Sequence, residues 1–215
     1  MIPLVHDFST STILVVGGGP VAARKARRFS QEADVVVLSP AFAEESFGDA
    51  DKVQQTVEPA GIPALFERFD PALLVAATDD EPLNEALESQ ASDAGVLCNR
   101  VDRSGSRDLG SVVVPATVED DPVTVSISTG GTSPTVSKHL RRRLEDELEH
   151  AGAMADLTSS LRAELQNSGV PPERRREALE AVVESEPVWK ALGSSASNAE
   201  IEAAVAVNTV LEEPL

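Results

Sequence analysis

One cysteine, Cys98, stands in the 215 residues, so no disulfide can close within the chain. Its simplest role is that of a small buried residue near a strand end. Aromatic residues make up only 3% of the sequence, and lysine occurs only at Lys25, Lys52, Lys138 and Lys190. The three histidines, His6, His139 and His150, have no metal-ligand spacing, so no resident metal is expected. No apolar run approaches the length of a membrane span. The opening residues MIPLVHD lack the basic region and apolar core of a secretory signal, which points to the cytoplasm and to no membrane partner. No internal repeat is visible.

Positive charge is also scarce. Against 36 acidic residues stand 18 basic ones, for a net charge of −18. Such a field repels nucleic acid and anionic membranes. The acid is scattered and not gathered in a tail. Together with much alanine, few lysines and few aromatics, it has the character of a halophilic protein, whose self-repulsion dissolved cations screen. A hydrophobic fraction of 41% allows an ordinary core, and the length fits one large domain or one domain with appendages.

The stretch Ile13-Leu14-Val15-Val16-Gly17-Gly18-Gly19-Pro20-Val21-Ala22 carries the most information. Four apolar residues run into a glycine triplet and then into a helix, which is the opening of a dinucleotide-binding βαβ unit. Gly17 allows the tight turn out of the strand. Gly19, without a Cβ, lets the backbone approach a pyrophosphate. Ala22 stands in place of the third glycine and lets the helix lie close to the sheet. The helix N-terminus, with Pro20 and Val21 in its first turn, turns N–H groups and partial positive charge toward phosphates.

The first half alternates strands and helices. Strands are expected at Thr12–Val16, Asp34–Ser39, Lys52–Val57, Ala72–Ala77 and Val96–Cys98. Helices are expected at Pro20–Glu32, Ile62–Phe69 and Asp80–Asp93, the last broken by Gly95. This order implies right-handed crossovers and an α/β, Rossmann-like parallel sheet. The pattern then changes. Val123, Val125 and Ile127 alternate with polar residues, as in a half-buried strand outside the main sheet. Ser133-Pro134 caps a helix on which Val136, Leu140, Leu144 and Leu148 recur every four residues. From about Ala151 the chain is helical, interrupted at Gly169-Val170-Pro171-Pro172 and at 193–198, with a frayed end at 212–215.

Several elements then coincide. They are Pro3-Leu4, the run from Gly17 to Lys25, Leu38-Ser39-Pro40, Ala76-Ala77-Thr78-Asp79-Asp80 with Asn84, Cys98-Asn99-Arg100-Val101-Asp102, and Ser128-Thr129-Gly130-Gly131-Thr132-Ser133-Pro134. In order and spacing they resemble precorrin-2 dehydrogenase, the family that includes the N-terminal module of siroheme synthase, over about residues 1–150. The resemblance implies an NAD-dependent oxidation of precorrin-2 to sirohydrochlorin, and in some members insertion of Fe2+ as a ferrochelatase. It implies a dinucleotide-binding domain (1–112), a small dimerisation region (113–143), a C-terminal helical domain with tail (144–215), and a crossed homodimer whose active site uses both subunits.

The resemblance also assigns roles. Asp102, just past a strand end, matches the family's general-base aspartate, which a dehydrogenation needs beside its hydride acceptor. Gly17, Gly19, Pro20, Val21, Ala22, Ser39, Pro40, Ala41, Thr78, Asp79 and Asn99 would border the NAD. Ser128, Thr129, Gly130, Gly131, Thr132 and Ser133 offer hydroxyls and N–H groups to the substrate's carboxylates. Arg24 and Lys25 match the family's basic pair. The chain departs from the pattern in four places. No Asp or Glu follows strand two, where Ser39-Pro40-Ala41 stands. The segment from Asp102 to Ser111 is about three residues longer than usual. Val112 replaces an aromatic, and Glu119-Asp120-Asp121 replaces an Asp-Arg pair. The competing readings are an NAD-binding regulatory or sensor domain, which needs neither base nor tetrapyrrole cleft, and a tetrapyrrole-binding protein without catalysis.

Overall fold

The computed structural model describes residues 3–103 and 110–212. Strand β1 (Thr12–Val16) lies between β2 (Asp34–Ser39) and β4 (Pro71–Ala76). β3 (Asp51–Gln54) and β5 (Leu97–Arg100) flank them, and all five run parallel in the order β3-β2-β1-β4-β5. Parallel strands are buried on both faces, hence the unbroken Val, Ile and Leu runs. Leu14, Val16, Leu38, Leu74 and Ala76 pack with α2 (Ile62–Phe69) and α3 (Glu81–Ala94) on one side. Ile13, Val15, Val37 and Val75 pack with Ala22, Ala23 and Ala26 of α1 (Pro20–Phe29) on the other. Full burial of each Val, Leu or Ile side chain among them stabilises by about 1.5–3 kcal/mol.

Several boundaries moved for identifiable reasons. α1 ends at Phe29, before the expected Glu32, because the N–H groups of Glu32 and Ala33 both donate to the Phe29 carbonyl in a turn back to β2. β3 is shorter than expected. It pairs only with β2, whose last residue Ser39 meets Gln54. β5 runs beyond Cys98 to Arg100 because β4 offers partners up to Ala76. That extension sets Asn99 and Arg100 inside the sheet and leaves Asp102 just past its edge.

The chain divides into two units, Met1–Val114 with Gly130–Thr132, and Pro115–Thr129 with Ser133–Leu215. In the second unit the expected strand Val123–Ile127 (β7) has an antiparallel partner that the sequence did not announce, β6 (Ala116–Asp120), in which Val118 alone is buried. Ser133 caps α4 (Pro134–Glu147) as expected, its hydroxyl accepting from the Val136 N–H at 3.3 Å. Helices α5 (Ala151–Asn167), α6 (Pro172–Val183), α7 (Glu186–Leu192) and α8 (Ala196–Glu212) enclose Met154, Leu165, Val182, Val188, Ala203 and Val207. The second interruption is shorter than expected, since α8 already begins at Ala196.

The Asp120 carboxylate accepts from the Gly152 N–H at 2.9 Å, so the hairpin caps α5. No residue of α4 is buried, and Val136 and Leu140 are 47% and 38% exposed. Among the described residues no helix is long and apolar enough to cross a membrane. The longer segment after Asp102 and the end of the tail lie mostly outside the described residues.

Candidate functional site

The carboxyl ends of the parallel strands gather the expected cofactor residues of the first unit. Ligands bind at this edge in doubly wound sheets. Gly17 leaves β1 at φ +127°, a conformation closed to other residues, and a Cβ there would overlap the Ala77 carbonyl. Gly18 was given no role from the sequence, yet it is the tightest position in the turn. A Cβ on it would overlap the Ala41 carbonyl and the Ser39 side chain, and its own carbonyl accepts from the Ala43 N–H at 2.7 Å. Ser39-Pro40-Ala41, which occupies the place of the missing acid, therefore serves as the wall against which the glycine turn packs.

Gly19 differs, because a Cβ added there meets nothing within 4 Å. It is the N-cap of α1 and leaves the first turn without a side-chain cap or an acid. Pro20 has no N–H to offer, so the next donors of the helix end belong to Val21 and to Ala22, which is buried against the sheet. An uncapped, acid-free helix N-terminus behind an open glycine has the donor chemistry a pyrophosphate requires.

At the end of β4, Thr78 is held by Asn84, a fully buried residue of α3. Asn84 accepts from the Thr78 N–H and hydroxyl at 3.3 and 2.7 Å and donates to the Thr78 carbonyl at 3.0 Å. Asp80, and not Asp79, caps α3, with its carboxylate on the Leu83 N–H at 3.0 Å. Asp79 stays exposed. In β5 the Asn99 amide donates to the Val112 carbonyl at 2.8 Å, while its buried Oδ1 has no partner among the described residues. An unmet buried acceptor at this edge suits a donor from a ligand, such as a carboxamide or a ribose hydroxyl. Gly19 and Asn99 thus both fit a nicotinamide dinucleotide.

Asp102 is tied more firmly than its sequence context foretold. Its two carboxylate oxygens accept from Nε and Nη2 of Arg100 at 3.0 and 2.5 Å. The third arm of the guanidinium, Nη1, reaches Glu88 of α3 at 3.0 Å, and Arg103 approaches the same Glu88 oxygen at 3.4 Å. The Arg100 side chain is 1% exposed, Glu88 15% and Asp102 25%. The Arg100 fork holds Asp102 below the usual carboxylate range, desolvation opposes this, and Asn84 adds to the lowering. Asp102 is therefore an ionised and oriented carboxylate.

Cys98, two residues before Arg100 on β5, shows the opposite effect. Burial, then the Glu88 charge, pushes its thiol up to about 12 from 9.0. Below the unfolded thiol value the native state keeps this contribution, and it is lost as the pH rises toward the folded value. Native protein is thus expected to resist iodoacetamide at pH 8 and to react once unfolded in guanidinium, as followed by intact-mass spectrometry. Equal rates in the two states would contradict this burial.

Arg100, Asn84 and Glu88 are the residues to which the sequence assigned no task. A signal was present: Asn84 and Glu88 stand four apart on α3 among the buried Leu83, Leu87 and Ala91, and Arg100 interrupts a buried strand. In the second unit Thr129 and Ser133 build their own turn. The Thr129 hydroxyl donates to the Ser133 carbonyl and accepts from its N–H, both at 3.2 Å. Gly130 and Gly131, at φ +63° and +83°, carry the chain round, and Ser128 and Thr132 are exposed. Among the described residues no cluster of three or more His, Cys, Asp or Glu side chains is arranged to hold a metal.

Comparison with known proteins gives concordant matches. The family model "Putative NAD(P)-binding" matches residues 4–116, and "Sirohaem biosynthesis protein central" matches residues 120–147. A precorrin-2 dehydrogenase of Methanosarcina barkeri is 33% identical over 217 residues, covering 98% of this chain and 95% of that protein. A siroheme synthase of Stutzerimonas stutzeri is 34% identical over 206 residues, covering 93% of this chain. The chain spans 42% of the length of that synthase. A solved structure described as SirC, precorrin-2 dehydrogenase, superposes with a TM-score of 0.70 at 20% identity, over 97% of this chain and 100% of the other, and supports the fold.

Proposed function

Because the chain belongs to the precorrin-2 dehydrogenase family, which also contains the N-terminal module of siroheme synthase, we propose that it oxidises precorrin-2 to sirohydrochlorin with NAD. The observation that carries this reading is the pairing, at one sheet edge, of an open glycine turn with an ionised carboxylate. A sensor domain would need the first and has no use for the second.

The dinucleotide, when bound, supplies the hydride acceptor. The chain supplies the rest. Gly17 and Gly18 lock the turn, and Gly19 leaves room for the pyrophosphate over the α1 N-terminus, where Val21 and Ala22 offer N–H groups. Pro20, Ser39, Pro40, Ala41, Thr78 and Asp79 would border the cofactor, and Asn99 Oδ1 would accept a hydrogen bond from it. Asp102 would take the proton that the substrate releases on oxidation, the hydride being the part that a bound dinucleotide would accept. The segment from Ser128 to Ser133 meets the substrate's carboxylates with hydroxyl and N–H donors. The exposed Val136 and Leu140 of α4, within residues 113–143, form part of a homodimer interface.

The test is anaerobic mixing of purified protein with precorrin-2 and NAD in molar potassium chloride, followed by the visible spectrum. Sirohydrochlorin should appear with an equal amount of NADH. Parallel arms with NADP, and with ferrous iron added to sirohydrochlorin against a no-enzyme control, score cofactor choice and chelation. Dinucleotide binding with no spectral change would reject the dehydrogenase in favour of the sensor.

A further inference from the structure

Arg100 is the largest fully buried side chain among the described residues. A guanidinium in that position needs its donors met, and one carboxylate would suffice to anchor it. Here the fork is divided. The Nε and Nη2 pair lies on both oxygens of Asp102, and Nη1 lies on Glu88. Two parallel N–H···O bonds fix the plane as well as the place of a carboxylate. Of the three side chains, Asp102 keeps the most exposure, so it is the member that a ligand can reach. Glu88, four residues beyond Asn84 on α3, competes for the same cation through Nη1 and also accepts from Arg103.

We propose that Arg100 is the positioning residue for Asp102, fixing both carboxylate oxygens for proton transfer, and that Glu88 sets how tightly the guanidinium holds them. This rests on the reading of Asp102 as the proton acceptor. Arg100 and the Asn84 amide act on Asp102 directly, Glu88 with its second partner Arg103 reaches it through Arg100, and the buried Cys98 thiol is the other titratable group coupled to it.

Weakening the fork and weakening its competitor therefore have opposite consequences. Arg100→Lys replaces a planar fork by a compact charge. The acid limb of kcat/KM should move up by about one pH unit, and kcat should fall about tenfold or more from lost orientation. Glu88→Gln removes a like charge and should move the acid limb down. General loss of packing would not move the acid limb in opposite directions in the two variants. Should Arg100→Lys fail to fold, the double variant Arg100→Met/Glu88→Gln removes both charges together. It should return Asp102 toward the ordinary carboxylate value and lower kcat.

The direct readout needs neither substrate nor cofactor. Aspartate labelled with 13C at the carboxyl carbon is titrated by NMR in each variant, the Asp102 signal being the one absent from Asp102→Asn. Opposite shifts for Arg100→Lys and Glu88→Gln support the proposal. Unchanged titrations, with turnover lost in Asp102→Asn, overturn it alone. Turnover surviving in Asp102→Asn removes the proton-acceptor reading and this inference with it.

Discussion

Asp102→Asn is expected to lower turnover by about 10³-fold while leaving dinucleotide affinity nearly unchanged. Loss of a positioned general base costs roughly 10²–10⁴-fold, and the amide can neither accept the proton nor keep a charge-assisted pair with both nitrogens of Arg100. The variant should fold, since the amide oxygen still accepts from the guanidinium and the side chain is a quarter exposed. Single-turnover kinetics beside calorimetric titration of NAD would separate the two effects. Retained turnover would show that another group takes the proton. A parallel collapse of NAD binding would show that Asp102 serves the cofactor site.

The second large effect divides the glycine triplet. Gly18→Ala places a methyl group against the Ala41 carbonyl and the Ser39 side chain, and a carbonyl held in the turn cannot give way cheaply. Overpacking of this kind costs about 1–3 kcal/mol, which lowers Tm by roughly 2–4 °C for each kcal/mol in a chain of this size. Gly19→Ala should lower Tm less than Gly18→Ala does, because its Cβ enters open space at φ −81° and only the N-cap preference for glycine over alanine is lost. It should nonetheless weaken NAD binding about tenfold or more, since the methyl group occupies the approach to the pyrophosphate. Differential scanning calorimetry with NAD titration on both variants reads the contrast. A Gly19→Ala variant more destabilised than Gly18→Ala that bound NAD normally would reverse the assignment.

The sheet was legible because buried parallel strands write themselves as continuous apolar runs, as in Ile13–Val16 and Val35–Leu38, and because glycine and proline mark their ends. Strand ends were less legible. The extent of β3 and β5 depends on partners distant in sequence, so Gln54 and Arg100 could be placed only once Ser39 and Ala76 were seen opposite them. β6 escaped because its sequence, Ala-Thr-Val-Glu-Asp, buries one side chain and alternates over only four residues.

Within the site, the residues that would touch ligand were visible as motifs. The residues that hold them were not, because their roles are tertiary. Gly18 matters through Ala41, Asn84 through Thr78, and Arg100 through Asp102 and Glu88. The Arg100 pair also changes the chemical character of Asp102, which the resemblance marks as a general base without a visible partner and which the structure holds as a clamped carboxylate of lowered proton affinity.

Direct transfer of hydrogen between the two ligands is the most searching test. Precorrin-2 prepared with deuterium at its oxidisable carbon is incubated with the protein and NAD, and the recovered NADH is weighed by mass spectrometry. One deuterium per NADH, acquired from substrate and not from solvent, is the predicted result. NADH free of label, or sirohydrochlorin formed without NADH, would contradict a nicotinamide held at this sheet edge facing the tetrapyrrole.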